Sequence, residues 1–280
     1  MKINGFNFLI GADPEFFVKR DGVPVSAHGL IEGTKDAPKK VRNGAVQVDG
    51  MALEFNIDPA GSFVEFEENM VSVLSQIKAM VPGYEAMIEP IAEFGAEYIK
   101  KQPKEARELG CSPDYNAYTK RENPRPNVDA PFRTASGHIH IGWTKDVDPM
   151  DEGHFEACCT LTKALDIWLG IPSLVWDADD RRRSLYGAAG AFRPKPYGME
   201  YRVLSNKWID HPQAPHLRKA VYYNTIEAIK ATFSDPEWVD KANFGGVTPQ
   251  AIVNKTSDQW ETAATLALKY GNVKPSSAYR

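Results

Sequence analysis

Four short segments of the chain each place two polar side chains two residues apart. They are Asp13 and Glu15, Glu54 and Asn56, His138 and His140, and Glu200 and Arg202. Side chains at positions i and i+2 of a strand point to the same face. The alternate positions in these segments are mostly apolar. The sequence therefore predicts a sheet with one apolar face and one face of carboxylates, imidazoles and guanidinium groups.

Such a polar face needs partners, because an unpaired charge that is buried away from water is very costly. Water, ion pairs or bound cations could supply them. Carboxylate oxygens, with an occasional imidazole, suit hard cations such as Mg²⁺ and Mn²⁺, and arginine forks suit polyphosphate. The chemistry that uses both is phosphoryl transfer from a nucleotide, in which a protein mainly positions reactants and neutralises charge.

Taken singly, each pattern has a structural explanation. A His-x-His strand is more often structural than metal-binding, and a Glu-x-Arg pair is usually an ion pair. The chain has no GxxxxGK[ST] loop and no GxGxxG motif after a strand. A nucleotide would therefore be held by the sheet face and not by a glycine-rich loop at a helix start. The four segments together favour a functional site.

The polar segments alternate with turn signals and helical patterns. Strands are predicted over residues 6–18, 23–27, 44–57, 133–143 and 199–203, with turns at Asp21-Gly22 and Asp49-Gly50. Pro14 lacks a backbone donor, which predicts an edge strand or a bulge. Helical spacing predicts helices over residues 62–81, 149–169 and 213–233, with shorter ones near 249–253 and 257–268. Helices would cover the apolar face of the sheet.

Composition limits the class of protein. The chain has 280 residues and a net charge of −4, so its overall field does not favour nucleic acid. An odd number of cysteines, three, of which two are adjacent, argues for a reducing compartment. No apolar run approaches the roughly 18 residues of a membrane span, and the first residues lack the pattern of a secretion signal. We therefore expect a cytoplasmic protein.

The segments GADPEFF, DGMALEFN, SGHIHIG and LYGAAGAFRPKPYGMEYRV, in this order and spacing, resemble the glutamine synthetase and glutamate–cysteine ligase superfamily. The closer match is to the phage carboxylate–amine ligases of that superfamily, the phiEco32-like COOH–NH2 ligase type 2 group. The resemblance spans residues 11 to 206. It implies an α+β fold with a curved, mainly antiparallel sheet that forms a funnel, helices on its outer face, and a single catalytic domain over residues 1–280.

The resemblance also implies a role for each polar side chain. The metal ligands would be Asp13, Glu15, Glu54, His138 and Glu200. The nucleotide phosphates would be bound by His140, Arg193 and Arg202. The residues that act directly in catalysis would be Arg193, Arg202 and Glu54. Asp49 would be a companion of Glu54 in the match to the second acidic strand.

The implied reaction is ATP-dependent amide formation with Mg²⁺ or Mn²⁺. A substrate carboxylate would attack the γ-phosphate to give an acyl phosphate, and an amine would then displace phosphate. Both substrates would be small molecules or peptides, and the setting would be the host cytoplasm if a phage encodes the chain. The loops at 32–43 and 110–131 are candidate lids or substrate-recognition elements.

Three other classes remain open on the residues alone. A phosphagen-kinase-like phosphotransferase would transfer phosphate without forming an amide. A metal-dependent hydrolase would use the same histidines and acids without ATP, and a non-catalytic protein would only bind nucleotide. Product analysis separates the first class from a ligase. In calorimetric titration with nucleotide and Mg²⁺, the absence of binding would favour a hydrolase or a scaffold whose site has decayed.

Overall fold

A computed structural model describes residues 1–107, 113–125, 130–210 and 214–270, with only the backbone of Ala214 and Tyr270. Part of the predicted 110–131 loop, residues 110–112 and 126–129, lies outside the described residues. The strands are β1 (Lys2–Ile3), β2 (Phe6–Asn7), β3 (Leu9–Arg20), β4 (Val23–Val25), β5 (Lys39–Val41), β6 (Gly44–Asp49), β7 (Ala52–Ile57), β8 (Glu85–Met87), β9 (Ile91–Glu93), β10 (Tyr115–Asn116), β11 (Arg121–Glu122), β12 (Phe132–Thr134), β13 (Gly137–Gly142), β14 (Ala191–Lys195) and β15 (Gly198–Tyr201).

The helices are α1 (Phe63–Ala79), α2 (Ala96–Lys100), α3 (Lys104–Arg107), α4 (Glu152–Leu165), α5 (Ile171–Ser173), α6 (Asp180–Leu185), α7 (Ala214–Ser234), α8 (Pro236–Lys241), α9 (Pro249–Val253) and α10 (Trp260–Tyr270). A π-helical turn, Asp166–Gly170, joins α4 to α5, and a 3-10 turn covers Asn206–Trp208. No helix within the described ranges is long and apolar enough to cross a membrane.

Eleven strands of the described residues form one sheet. Its order is β11-β10-β14-β15-β13-β3-β7-β6-β5, and β4 and β8 pair with the far end of β3. These pairings are antiparallel. The predicted α+β class with a large, mainly antiparallel sheet is confirmed.

The turn predicted at Asp21-Gly22 is confirmed. Arg20 pairs with Val23 across it, and Asp21 and Gly22 have φ values of 53° and 79°. Two successive positive φ values give the twist of a two-residue hairpin, which glycine adopts without steric cost.

The prediction of an edge strand at Pro14 is wrong, and the alternative of a bulge stays a prediction. Pro14 lies in β3, between β13 and β7 in the middle of the sheet. The ladder between β3 and β7 pairs only Glu15 and Phe16 of β3. The ring of Pro14 therefore lies beside the end of that ladder, and its missing N–H leaves the central strand intact.

Helices α1 and α4 cover the apolar side of the sheet, and α7 packs against both. Helix α1 packs against β6, β7 and α7, and α4 packs against β14, β15 and α7. The predicted apolar stripe of α1 is buried at Phe66, Met70, Val73, Leu74 and Ile77. Burial of each such side chain contributes about 1.5–3 kcal/mol of transfer free energy. This layer holds the sheet in place and leaves its other face for polar groups.

Two predicted segments differ in detail from the structure. The loop predicted at 32–43 contains an edge strand, β5, because Lys39–Val41 pairs with β6. The strand predicted over 133–143 breaks at Ala135-Ser136 into β12 and β13, and β12 pairs with β9 outside the main sheet.

Asp166 is a buried carboxyl group beneath β15. It accepts hydrogen bonds from the hydroxyl of Tyr201 (2.8 Å) and from that of Tyr118 (2.9 Å). Burial raises the pKa of Asp166 to about 7, although the two hydroxyl groups favour the charged form. The folded protein therefore binds this proton more tightly than the unfolded chain, whose aspartate pKa is roughly 3.9.

We expect Asp166→Asn to flatten the pH dependence of stability. For a raised pKa, the stabilisation is fully present below the unfolded value and is lost as pH rises through about 7. Between pH 5 and pH 8 that loss is about 3 kcal/mol, measurable by urea unfolding. Asp258→Asn, at an exposed position, should keep the wild-type slope. An unchanged slope in Asp166→Asn would contradict this expectation.

Candidate functional site

The register of the sheet sets the predicted polar side chains in adjacent rows on one face. Read across the strands, the rows are Arg193, Glu200, His140 and Gly11; then His138 and Asp13; then Gln47, Glu54 and Glu15. Residues far apart in the chain thus become neighbours, because antiparallel pairing places cross-strand side chains about 4.5–5.5 Å apart at Cβ.

The first cluster, named here the histidine group, comprises Asp13, His138, His140 and Glu200. His138 Nδ1 lies 3.3 Å from Asp13 Oδ1 and 3.3 Å from Glu200 Oε1. His140 Nε2 lies 3.0 Å from Asp13 Oδ2, and its Nδ1 shares a hydrogen bond with the hydroxyl of Tyr197. One ligand atom each from Asp13, His140 and Glu200 lies within 4.8 Å of the others, a spacing that suits one cation.

The second cluster, the carboxylate group, comprises Glu15, Asp49 and Glu54. Their carboxylate oxygens also lie within 4.8 Å of one another. The backbone N–H of Ser136 donates to Glu15 Oε2 at 2.9 Å, and the ammonium of Lys35 lies 2.8 Å from Asp49 Oδ2. The ammonium of Lys35 thus lies beside a cluster of three acids. Oxygen-only ligand sets of this kind suit Mg²⁺ or Mn²⁺.

The structure thus divides the five predicted metal ligands between two clusters. Asp13, His138 and Glu200 belong to the histidine group, and Glu15 and Glu54 lie in the carboxylate group. Their roles as ligands stay predictions. His140 contacts Asp13 and Tyr197, and its predicted contact with nucleotide phosphate stays a prediction.

Three cations converge on the buried carboxylate of Glu200. Arg193 Nη1 and Lys195 Nζ lie 3.2 Å and 3.1 Å from its Oε2, and Arg202 Nη1 contacts its Oε1. Arg202 Nε also lies 3.4 Å from Asp114 Oδ2. We name Arg193, Lys195 and Arg202 the basic arc. It carries more positive charge than Glu200 alone neutralises, as an anion-binding surface requires.

Burial and like charges raise the pKa of two acids in the carboxylate group. Burial, followed by the charge of Asp49, raises the pKa of Glu15 to about 8. Burial, followed by the charge of Asp13, raises the pKa of Glu54 well above its usual value. A cation bound among these groups would favour their charged forms, so binding would release protons.

In the histidine group the pKa values of Asp13 and His138 are lowered. Burial opposes the charge of Asp13, but His140 and then His138 hold the pKa of Asp13 well below its usual value. Burial, followed by the charge of Arg202, lowers the pKa of His138 to about 4. The His138 ring is therefore neutral near pH 7 while Asp13 is ionised.

The neutral ring of His138 fits a metal-binding role. Its Nδ1 faces two carboxylates, and its buried Nε2 has no hydrogen-bond partner among the described residues. Histidines that bind a metal through one nitrogen usually donate the other N–H to a carboxylate or carbonyl. The His138 ring can therefore offer Nε2 to a cation, while the ligand atoms that lie close together in this group belong to Asp13, His140 and Glu200.

A cleft lies over these clusters. Its polar surface includes the carboxylate group, Asp13, His138 and Glu200 of the histidine group, and Arg193 and Arg202. Its apolar walls include Phe17, Met51, Ala106, Pro113 and Tyr186. Lys35 from the predicted 32–43 loop, and Asp114 and Asn123 from the predicted 110–131 loop, also line it. Both loops therefore reach the site, and their action as lids stays a prediction.

Sequence reasoning missed several residues of this site. Lys195 follows Arg193 by two residues on β14, so the same i, i+2 rule would have found it. Tyr197, Lys35 and Asp114 come from turns or irregular segments, where no periodicity indicates which side chains meet. Only the folded chain brings them to the clusters.

A family model described as Phage phiEco32-like COOH.NH2 ligase-type 2 matches residues 131–264. This match confirms the predicted family for that part of the chain. We call residues 131–264 the ligase-family segment. It contributes His138, His140, the basic arc and Glu200. The carboxylate group and Asp13 lie before it and join the site through pairing of β3 with β13 and of β7 with β3. No curated protein sequence matches the chain.

Proposed function

We propose that the chain is an ATP-dependent carboxylate–amine ligase that forms an amide through an acyl phosphate. The observation that carries this proposal is the adjacency of two kinds of charge on one sheet face. The carboxylate and histidine groups suit divalent cations, and the basic arc beside them suits phosphate. The match of the ligase-family segment supports the choice of amide formation over other phosphoryl transfers.

Mg²⁺ or Mn²⁺ would be held by Asp13, Glu200 and a histidine in one cluster and by Glu15 and Glu54, with Asp49, in the other. When bound, such cations neutralise phosphate oxygens and so favour displacement at phosphorus. Asp13 keeps His138 and His140 oriented through its two oxygens. Glu54 and Glu15 face each other across β3 and β7, which holds their carboxyl groups side by side.

In the proposed first step, a carboxylate oxygen of the substrate attacks the γ-phosphorus of ATP. The bond from that phosphorus to the bridging oxygen breaks, and ADP leaves. Arg193, Lys195 and Arg202 bind the oxygens on which negative charge collects, and Glu200 holds these three cations together. Stabilisation by such preorganised groups is usually the largest catalytic contribution.

In the second step, the amine nitrogen attacks the acyl carbon and the carbon–oxygen bond to phosphate breaks. The nitrogen gives its proton to water or to a neighbouring carboxylate, and phosphate leaves. The proposal treats residues 1–280 as one catalytic domain, because the site draws on side chains from Asp13 to Arg202. The buried free thiols of Cys158 and Cys159 support action in the cytoplasm.

The test is ADP release from the purified chain with Mg²⁺, screened against carboxylates and amines, with the products identified by mass spectrometry. We expect ADP and an amide, both dependent on ATP and on both substrates. A phosphorylated amine or guanidine would favour the phosphagen-kinase-like class. Turnover without ATP would favour a hydrolase, and nucleotide binding without any product would favour a non-catalytic protein.

We expect Lys195→Met to weaken ATP binding about tenfold, because it removes one charge-assisted contact worth about 1.5 kcal/mol. Calorimetry with a non-hydrolysable ATP analogue and Mg²⁺ measures this effect. Lys145→Met is the matched control, since Lys145 is exposed and lies 4.0 Å from Asp146. Equal affinities of Lys195→Met and the wild type would contradict a role of Lys195 in phosphate binding.

A further inference from the structure

Arg182 is a fully buried guanidinium beside the site. It lies on α6 with 0% exposure. Its Nη1 donates to the carbonyl of Val203 at 2.7 Å. Its Nη2 donates to Ser136 Oγ at 2.8 Å and to the carbonyl of Arg202 at 3.3 Å. The Arg182 side chain therefore hydrogen-bonds to the backbone of Arg202 and to Ser136, which lies two residues before His138.

The contact with Ser136 extends this network to the carboxylate group. The backbone N–H of Ser136 donates to Glu15 Oε2 at 2.9 Å, and the N–H of Glu15 donates to the carbonyl of Ser136 at 2.8 Å. Arg182 thus connects the basic arc, through Arg202, with the acids, through Ser136 and Glu15.

Tyr186 adds a second contact between Arg182 and Arg202. The guanidinium carbons of Arg182 and Arg202 lie 5.9 Å and 5.1 Å from the centre of its ring, within the range of cation–π attraction. Gly187, with φ of +84°, leaves room for this arrangement, because a Cβ there would lie 2.6 Å from Arg182 Nη1. The turn at Gly187 is therefore shaped around the Arg182 side chain.

Such an arginine is costly to the fold. Burial lowers the pKa of Arg182 to about 10, which still leaves it charged at neutral pH. Its hydrogen-bond acceptors are two carbonyls and a hydroxyl, all neutral. A buried charge without a hydrogen-bonded counter-ion costs several kcal/mol relative to an apolar side chain. If the side chain at position 182 served only for packing, an apolar residue there would make the fold more stable.

We propose that Arg182 is a positioning residue, which holds Arg202 of the basic arc and Glu15 of the carboxylate group at a fixed separation for the reaction. This inference rests on the proposed function. Arg182 does not line the cleft over the two clusters. It acts through the backbone of Arg202 and through Ser136. Its loss should therefore misplace Arg202 and Glu15, whose positions determine the rate of the reaction. A misplacement of about 1 Å can cost about 100-fold in rate.

The test compares Arg182→Lys and Arg182→Met with Arg181→Met. Arg181 is the matched control, because it is the preceding arginine, 55% exposed, and pairs with Asp179 and Glu93 on the surface. We expect Arg182→Lys to lower kcat about 10- to 100-fold while the KM for ATP changes less than threefold. Arg181→Met should keep the wild-type kcat.

A double-mutant cycle with Arg202→Lys separates positioning from a general loss of structure. If Arg182 acts through Arg202, the double variant should be about as slow as the slower single variant. Multiplied effects, or a wild-type kcat in Arg182→Lys, would overturn the proposal. If the Arg182 variants do not fold, Ser136→Ala removes one acceptor of Arg182, and a kcat equal to that of the wild type would overturn it.

The same experiment distinguishes the two proposals. A wild-type chain and an Arg181→Met variant that both lack amide formation would contradict the proposed ligase function, and the role of Arg182 would fall with it. Active controls together with an Arg182→Lys variant as fast as the wild type would remove only the positioning role.

Discussion

Glu200→Gln is expected to lower kcat by about 10³-fold, the size of effect seen when a preorganised electrostatic group is lost. Glu200 is 1% exposed. Arg193 and Lys195 contact one of its carboxylate oxygens, and Arg202 contacts the other. Glutamine keeps the volume but removes the charge and one acceptor. The three cations would then repel one another at short range and lose their common orientation.

Because Glu200 is also a proposed cation ligand, the comparison is made without divalent cations, where the same change should leave nucleotide affinity equal to or tighter than that of the wild type. The three basic side chains that would bind phosphate are still present. The Glu200 carboxylate, which competes with phosphate for them, is gone. An effect on kcat without a loss of ATP binding indicates a contribution made in the transition state. Steady-state kinetics and calorimetry measure the two quantities.

Glu97→Gln is the control for Glu200→Gln. Glu97 is an exposed glutamate that pairs with Lys100 on a helix surface, where such pairs contribute little. It should keep the wild-type kcat. If Glu200→Gln retained more than about a tenth of the wild-type kcat, Glu200 would not be the centre of the basic arc during the reaction.

Asp13→Asn is expected to weaken divalent cation binding in the histidine group by at least about 100-fold. Asp13 contacts His138 through one oxygen and His140 through the other, so it is both a candidate ligand and the group that orients the two rings. Asparagine would offer an amide N–H₂ to one of them. Mn²⁺ titration followed by electron paramagnetic resonance measures binding without substrates.

Glu54→Gln is the matched comparison for Asp13→Asn, because Glu54 belongs to the carboxylate group. If the two clusters bind separate cations, each variant should lose a different one of two Mn²⁺ sites. Two Mn²⁺ sites of wild-type affinity in Asp13→Asn would contradict the assignment of Asp13 as a ligand. Loss of all binding in both variants would indicate one shared site instead of two.

The choice of residues for the polar face was predictable because strand geometry is local. Side chains two residues apart in an extended chain share a face whatever surrounds them, so Asp13 with Glu15 and His138 with His140 could be paired from the sequence. Lys195, two residues after Arg193, follows from the same rule.

The grouping of those residues was not predictable, because register depends on which strands pair. Only the alignment of β3 with β7 sets Glu15 against Glu54, while β13 sets Asp13 against His138. A shift of one residue would turn each set to the other face. The position of Pro14 was not predictable for the same reason. Only the pairing of β3 with β7 shows that Pro14 lies at the end of a ladder inside the sheet and not on an edge strand.

The run Arg181-Arg182-Arg183 shows most directly what the sequence alone could not decide. By itself, the sequence determined which side chains share a strand face, where the long helices run, and the resemblance to the ligase family, because these depend on neighbours in the chain. The tertiary structure alone decided that Arg182 is buried while Arg181 is exposed, that the acids form two clusters, and that Lys35 and Asp114 reach them. Burial and register arise from contacts between distant segments, and no local pattern encodes those contacts.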